Sequence, residues 1–211
     1  MKLKQDLLSQ TKPPVFNLLS IGQRGVGKTV FLAGSYAELQ DKSRTNQSES
    51  LWFECQDKQD KENLNGILNY VARTGEYPPP TLKITDFNFE LKQRSRGREK
   101  TLCLFRWWDI PGEYCDFSQP DFQKMVLNSH SCCVFINAYQ LVNDANYPST
   151  LERMVKQIAS IATLVAPHLL NYRFALIFTQ CDRLDSSPIS RLQIEQNLQH
   201  LIASLEMAKA K

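Results

Sequence analysis

The run Gly22-Gln23-Arg24-Gly25-Val26-Gly27-Lys28-Thr29 limits what this chain can fold into more than any other stretch. Its spacing is G-x-x-x-x-G-K-[ST], and its flanks match. Residues 15–21 are an apolar run that predicts a buried strand, and residues 30–39 predict a helix. Glycines at such a junction let the backbone curl until successive N–H groups point inward at anionic oxygens, and the helix start adds its positive dipole end. The pattern therefore predicts a phosphate-binding loop. Gly22, Gln23, Arg24, Gly25, Val26, Gly27, Lys28 and Thr29 are its candidate contacts. Lys28 reaches β- and γ-phosphates and the Thr29 hydroxyl ligates Mg²⁺. A dinucleotide fingerprint does not fit, because G-x-G-x-x-G needs the glycines in a different order.

The rest of the composition narrows the class. The 211 residues suffice for one α/β domain with a sizeable core. A formal net charge of +3 is too small to point to nucleic acid or an anionic membrane as partner. No stretch approaches the length of a membrane span, and no long apolar run follows the first lysines. The six cysteines lie mostly in apolar strands without paired C-x-x-C spacing, which predicts reduced thiols in a cytoplasmic protein. The three histidines lack zinc-ligand spacing.

In chain order, residues 1–13 form a polar leader and residues 14–211 a single domain. The first helix is expected to end near residue 40, with a loop over 41–50. Residues 51–55 read as a short strand or a docked loop. Residues 60–73 carry Leu64, Ile67, Leu68 and Val71 on one helical face, stopped by Gly75. From residue 82 the period changes to two. A hairpin is expected, with strands to residue 91 and over 102–108 around a basic turn at 94–98. A short helix follows to residue 128, with Phe122, Met125 and Val126 inward. Residues 132–136 and 174–178 read as buried parallel strands. Ser149-Thr150-Leu151-Glu152 and Ser190-Arg191-Leu192-Gln193 read as capping boxes. The second of these is expected to open a last helix with Ile194, Leu198, Leu201, Ile202 and Leu205 inward.

Further stretches extend the glycine-rich loop into a constellation. Tyr77-Pro78-Pro79-Pro80-Thr81 precedes the hairpin, Asp109-Ile110-Pro111-Gly112-Glu113 ends a strand, and Thr179-Gln180-Cys181-Asp182 ends another. Taken with the loop, they resemble the motifs of small GTPases of the Ras/Rho kind, within the TRAFAC class, and of their wider bacterial relatives. The resemblance runs from about residue 14 to the C-terminus. It implies a three-layer P-loop NTPase fold, α/β, with a mostly parallel sheet and one antiparallel edge hairpin. It implies that Thr81 ligates Mg²⁺ and senses the γ-phosphate, that Asp109 holds Mg²⁺ through water, and that the Gly112 N–H approaches the γ-phosphate. It also implies that Thr179, Gln180 and Asp182 read a guanine base, Asp182 accepting two N–H groups that adenine lacks.

Several positions depart from the family pattern. Glu113 stands where the water-orienting Gln is usual, and Arg24 where a small glycine is usual; with Lys28 they are the candidate catalytic residues. Arg24 lies beside the γ-phosphate, points to solvent, or blocks turnover by bulk. Gln180 replaces the usual Lys. Residues 41–75 form an insertion whose helix either covers the nucleotide or binds a partner. The family's last strand and helix have no counterpart here, which predicts an exposed strand edge and a C-terminal end that is truncated or completed otherwise. The expected function is a GTP-Mg²⁺ switch that hydrolyses GTP slowly to GDP, with an unidentified protein effector or adjacent domains as partner. The alternatives are a GTPase-like interaction module without turnover and an ATP-dependent phosphotransferase.

Overall fold

A computed structural model describes residues 12–44, 49–79, 83–95, 98–168, 171–185 and 187–209. Thr81, the Arg96-Gly97 tip of the basic turn and most of the leader lie outside the described residues. The chain forms a mixed α/β structure around one six-stranded sheet. Its strands are β1 (Val15–Ile21), β2 (Glu49–Cys55), β3 (Thr85–Ser95), β4 (Arg98–Asp109), β5 (Ser131–Asn137) and β6 (Arg173–Thr179), in the spatial order β2-β3-β4-β1-β5-β6. β4, β1, β5 and β6 run parallel to one another, while β3 is antiparallel to both of its neighbours.

Alternation along the strands sorts side chains to the two faces. On β5, Cys132, Val134 and Ile136 join one core cluster, and Phe135 joins the other. The first cluster lies under α3 (Pro120–Asn128) and α5 (Tyr147–Val165), whose Phe122, Val126, Met154, Ile158 and Ile161 are buried in it. The second lies under α1 (Lys28–Arg44) and α2 (Lys58–Thr74), through Leu32, Ala33, Tyr36 and Leu64. α4 (Ala138–Asn143) and α6 (Pro188–Lys209) complete the helices, and α6 reaches the first cluster through Leu198.

The structure corrects several expectations. The stretch 41–50 is not a loop: α1 continues to Arg44 and β2 begins at Glu49, with residues 45–48 outside the described set. The hairpin of β3 and β4 is not the sheet edge. The insertion supplies β2, which pairs with β3 from Glu49 opposite Ser95 to Cys55 opposite Phe89, and so becomes the outer strand. Arg94, expected at the exposed turn, is in β3; it pairs with Glu99 and lies over the Trp52 ring. The helix of the insertion, expected to cover a nucleotide or bind a partner, is anchored by Leu64, which is fully buried in the core. It is fixed at both ends by local chemistry: the Asp57 carboxylate accepts from the Gln59 N–H at 2.6 Å, and Gly75 ends it at φ 68°.

Neither predicted capping box is used. α5 starts two residues earlier than expected, at Tyr147, and α6 starts at Pro188, because a proline in the first turn is preset for helix and lacks only an N–H that would be orphaned anyway. β6 is half-exposed rather than buried, since it ends the sheet and pairs with β5 alone. Ile202, expected inward, is 43% exposed. No described helix is long and apolar enough to cross a membrane.

Truncating Leu64 to Ala tests whether the insertion belongs to the core. A fully buried leucine removed from a packed cluster costs about 2–5 kcal/mol, so Leu64→Ala is expected to lower the denaturant midpoint by that equivalent. A loss below about 1 kcal/mol, the level of surface changes, would place α2 outside the cooperative unit.

Candidate functional site

Parallel strands deliver their C-terminal ends to one edge of the sheet, and the candidate residues follow those ends. β1 runs into Gly22, β4 ends on Asp109, β5 on Asn137 and β6 on Thr179. The registers set Ser20 opposite Asp109 and Asn137 opposite Thr179. β1 lies between β4 and β5, and its following helix packs on the opposite face from the helix that follows β4. In open α/β sheets the crevice at such a reversal is where ligands bind.

The glycine-rich loop has the curled backbone its sequence predicts. Gly22, Gly25 and Gly27 have φ of 151°, 73° and 100°. Gly22 is also constrained by space, because a Cβ there would stand 3.0 Å from the Phe135 carbonyl oxygen. Lys28 opens α1 but folds back over the loop, donating from Nζ to the Gly22 carbonyl at 3.1 Å and the Gln23 carbonyl at 3.2 Å. Only 7% of Lys28 is exposed. Burial holds its ammonium below the usual lysine range, opposed by the Asp109 and Glu113 carboxylates. The result is a nearly buried cation at the base of a cleft.

Thr29 and Asp109 meet at that base. The Thr29 hydroxyl donates to Asp109 Oδ2 at 2.5 Å, and Asp109 is 1% exposed. Ser20, which the sequence reading did not single out, is fully buried and donates from Oγ to the Trp108 carbonyl at 2.8 Å, tying β1 to β4 one residue before Asp109. A small hydroxyl residue one position before the end of an apolar strand was the available signal for it. Among the described residues no group of three or more His, Cys, Asp or Glu side chains gathers. A hydroxyl and a carboxylate oxygen side by side are nonetheless hard donors of the kind Mg²⁺ accepts alongside substrate phosphates.

The turn Gly112–Tyr114 closes one side. A Cβ on Gly112 would lie 2.7 Å from the Arg24 backbone nitrogen and 2.9 Å from the Gly22 carbonyl oxygen, so only glycine allows the two loops to touch. Arg24 and Glu113, read from the sequence as separate departures, form one ion pair at 3.9 Å, with side chains 56% and 42% exposed. Cys115 follows the turn; its thiol is buried and pushed up to about 11 by desolvation. Its carbonyl accepts from Gln157 of α5 at 2.6 Å, while Gln23 donates to Thr150 at 2.9 Å, so α5 backs both loops.

The end of β6 packs against the glycine-rich loop. Thr179 Oγ bonds the Val26 carbonyl at 2.6 Å, with a longer approach to Ile136. Gln180 adopts the left-handed region at φ 56°, reaches the Gly25 carbonyl at 3.5 Å and accepts from Arg183 at 2.8 Å. Arg183 lies over the Tyr139 ring. Asp182 is exposed on the same short 3₁₀ turn. Burial raises the Tyr77 hydroxyl above its usual range, with the Asp182 charge adding and Arg183 opposing, so Tyr77 stands close to this turn. A cleft of about 130 Å³ runs between these parts, lined by Arg24, Gly25, Gly27, Lys28, Thr29 and, facing them, Tyr77. Ile67 of the insertion helix also lines it.

Models of known protein families give no match to this chain, and a search of curated proteins finds no match either. The function must be read from the cleft itself.

Of the candidate residues, Arg24, Gly25, Gly27, Lys28, Thr29 and Gly112 line the cleft; Asp109 bonds Thr29, Thr179 and Gln180 bond carbonyls of the glycine-rich loop, and Asp182 lies near Tyr77. Gly112→Ala is the sharpest probe of that packing. Forcing a methyl against backbone atoms costs about 1–3 kcal/mol, so the variant is expected to lose that much stability on denaturation. Stability unchanged within error would mean the two loops are not in contact.

Proposed function

We propose that this chain is a guanine-nucleotide-binding switch with a P-loop NTPase fold, which binds GTP with Mg²⁺ and hydrolyses it slowly to GDP. The observation that carries the reading is the Thr29–Asp109 hydrogen bond at 2.5 Å beside the buried Lys28, at the start of the helix that follows a loop with three positive-φ glycines. That set supplies a nearly buried cation and hard oxygen donors next to a glycine-rich turn of the kind that turns N–H groups toward an anion, which is what a magnesium triphosphate requires.

In this reading the loop N–H groups and Lys28 bind the phosphates, Lys28 leaving the Gly22 and Gln23 carbonyls for phosphate oxygens. Thr29 and Asp109 hold Mg²⁺, which when bound neutralises charge on the phosphates. The Gly112 N–H lies beside the loop where a terminal phosphate sits. Water attacks the γ-phosphorus in line with the departing diphosphate, and Lys28 with the loop N–H groups stabilises the charge that develops. Thr81, outside the described residues, is assigned its sensor role from sequence alone. Asp182 accepts from the guanine N–H groups, and Gln180 covers the base face in place of a lysine. The effector is a protein of unassigned identity.

A second reading, an interaction module that binds nucleotide without turnover, is favoured by one observation. Glu113 is engaged with Arg24 at the place where a water-orienting side chain is expected. Phosphate release over time from purified protein with GTP and Mg²⁺ separates the two.

Calorimetric titration tests the main reading. The protein is expected to bind GTP and GDP in preference to ATP. Lys28→Ala is expected to abolish binding of all of them. Asp182→Ala removes hydrogen bonds to a charged acceptor, worth about 1.5–3 kcal/mol, and is expected to reduce the preference for GTP over ATP by roughly 10- to 100-fold. A preference for ATP, or an Asp182→Ala variant that behaves as wild type, overturns the guanine assignment. Asp109→Asn is expected to weaken the dependence of GTP binding on Mg²⁺.

A further inference from the structure

The cleft holds two cations in different situations. Lys28 is nearly buried and already donates to two carbonyl groups. Arg24 sits on the rim, with more than half of its side chain exposed. It lines the cleft together with Pro111 and Gly112, so an anion entering would meet Lys28 from below and Arg24 from the side.

Arg24 faces Glu113 across the two loops. The separation is 3.9 Å, too long for a hydrogen bond and typical of a loose ion pair. The carboxylate is nevertheless confined near the guanidinium. Gly112, one residue before it, is pressed against the Arg24 backbone nitrogen, so the turn cannot carry Glu113 away without opening the loop contact. Glu113 is also close enough for its charge to act on Lys28. A loosely bound but tethered counter-ion is easily displaced by a stronger anion and returns when that anion leaves.

We propose that Glu113 masks Arg24 in the empty or diphosphate-bound site, and that the terminal phosphate of a nucleoside triphosphate displaces Glu113 from Arg24, so that this pair sets the discrimination between triphosphate and diphosphate. The inference rests on the nucleotide reading given above. It assigns Arg24 a role in recognising the last phosphate and Glu113 the role of a competitor for it. The chemistry recognised is a terminal phosphate bearing two negative charges, which pairs with a guanidinium better than a single carboxylate does.

The test is a double-mutant cycle on the full chain, with GDP and a non-hydrolysable GTP analogue as probes in the presence of Mg²⁺. Glu113→Gln is expected to tighten the GTP analogue about two- to fivefold and to leave GDP nearly unchanged, the range of an exposed charge pair. Arg24→Gln is expected to weaken the analogue by a similar factor. The cycle decides between masking and simple repulsion. If Glu113 masks Arg24, the gain from Glu113→Gln shrinks when Arg24 is already glutamine. If Glu113 merely repels phosphate and Arg24 merely neutralises it, the two effects add, so a gain that is the same or larger in the Arg24→Gln background overturns the inference. Equal shifts for both nucleotides overturn it as well, because the pair then does not read the terminal phosphate. Wild-type protein that binds neither nucleotide removes the underlying reading and the inference with it, and that result is separate from a cycle of the wrong sign.

Discussion

The parallel pairing of β1 with β4, in register at Ser20 and Asp109, is the constraint on which the rest depends. It puts a strand that ends in a glycine-rich loop beside a strand that ends in a carboxylate. The Ser20 hydroxyl bond to the Trp108 carbonyl locks that register from the side-chain direction. A slip of one residue would turn Asp109 to the other face of the sheet and separate it from Thr29. The neighbouring strands then add their ends to the same edge, and Thr179 stitches the last of them to the loop through the Val26 carbonyl.

Among the described residues, the buried polar Ser20, Asp109 and Asn137 lie at or next to the C-terminal ends of parallel strands and Lys28 follows the loop after β1, while Ser129 is buried at the opposite edge, before β5. Buried charge without compensation is costly. Here Lys28 has two carbonyls and nearby anions, and Asp109 has the Thr29 hydroxyl. Burial still holds the lysine below its ordinary range, so its ammonium is a cation that an anion beside it would stabilise.

Much of this was legible in the residues. Strand β1, the helix after it, the hairpin and the apolar β5 were marked by periodicity and by the switch from helical to alternating spacing. The glycine-rich loop and the residues at 109, 112 and 179–182 were marked by motif. What escaped were contacts between segments distant in sequence. Nothing local links Arg24 to Glu113, Gln23 to Thr150 or Cys115 to Gln157. Within the insertion, residues 51–55 left a short strand and a docked loop open because they carry no strict alternation; β3 decides for the strand by offering an edge to pair with, from Glu49 to Cys55. The capping boxes at 149 and 190 failed because the prolines at 148 and 188 start their helices earlier.

The two loops of the cleft share a single mechanical support. Thr150 and Gln157, which hold Gln23 and Cys115, stand seven positions apart on α5. Along a helix that spacing is roughly 10 Å and nearly incompressible. The glycine-rich loop and the turn after β4 are therefore mounted like two jaws on one bar. Opening one against the other means breaking a side-chain bond at a mounting point or carrying the bar along. A displacement inside the cleft would then reach the far side of α5 as the tilt of a rigid rod.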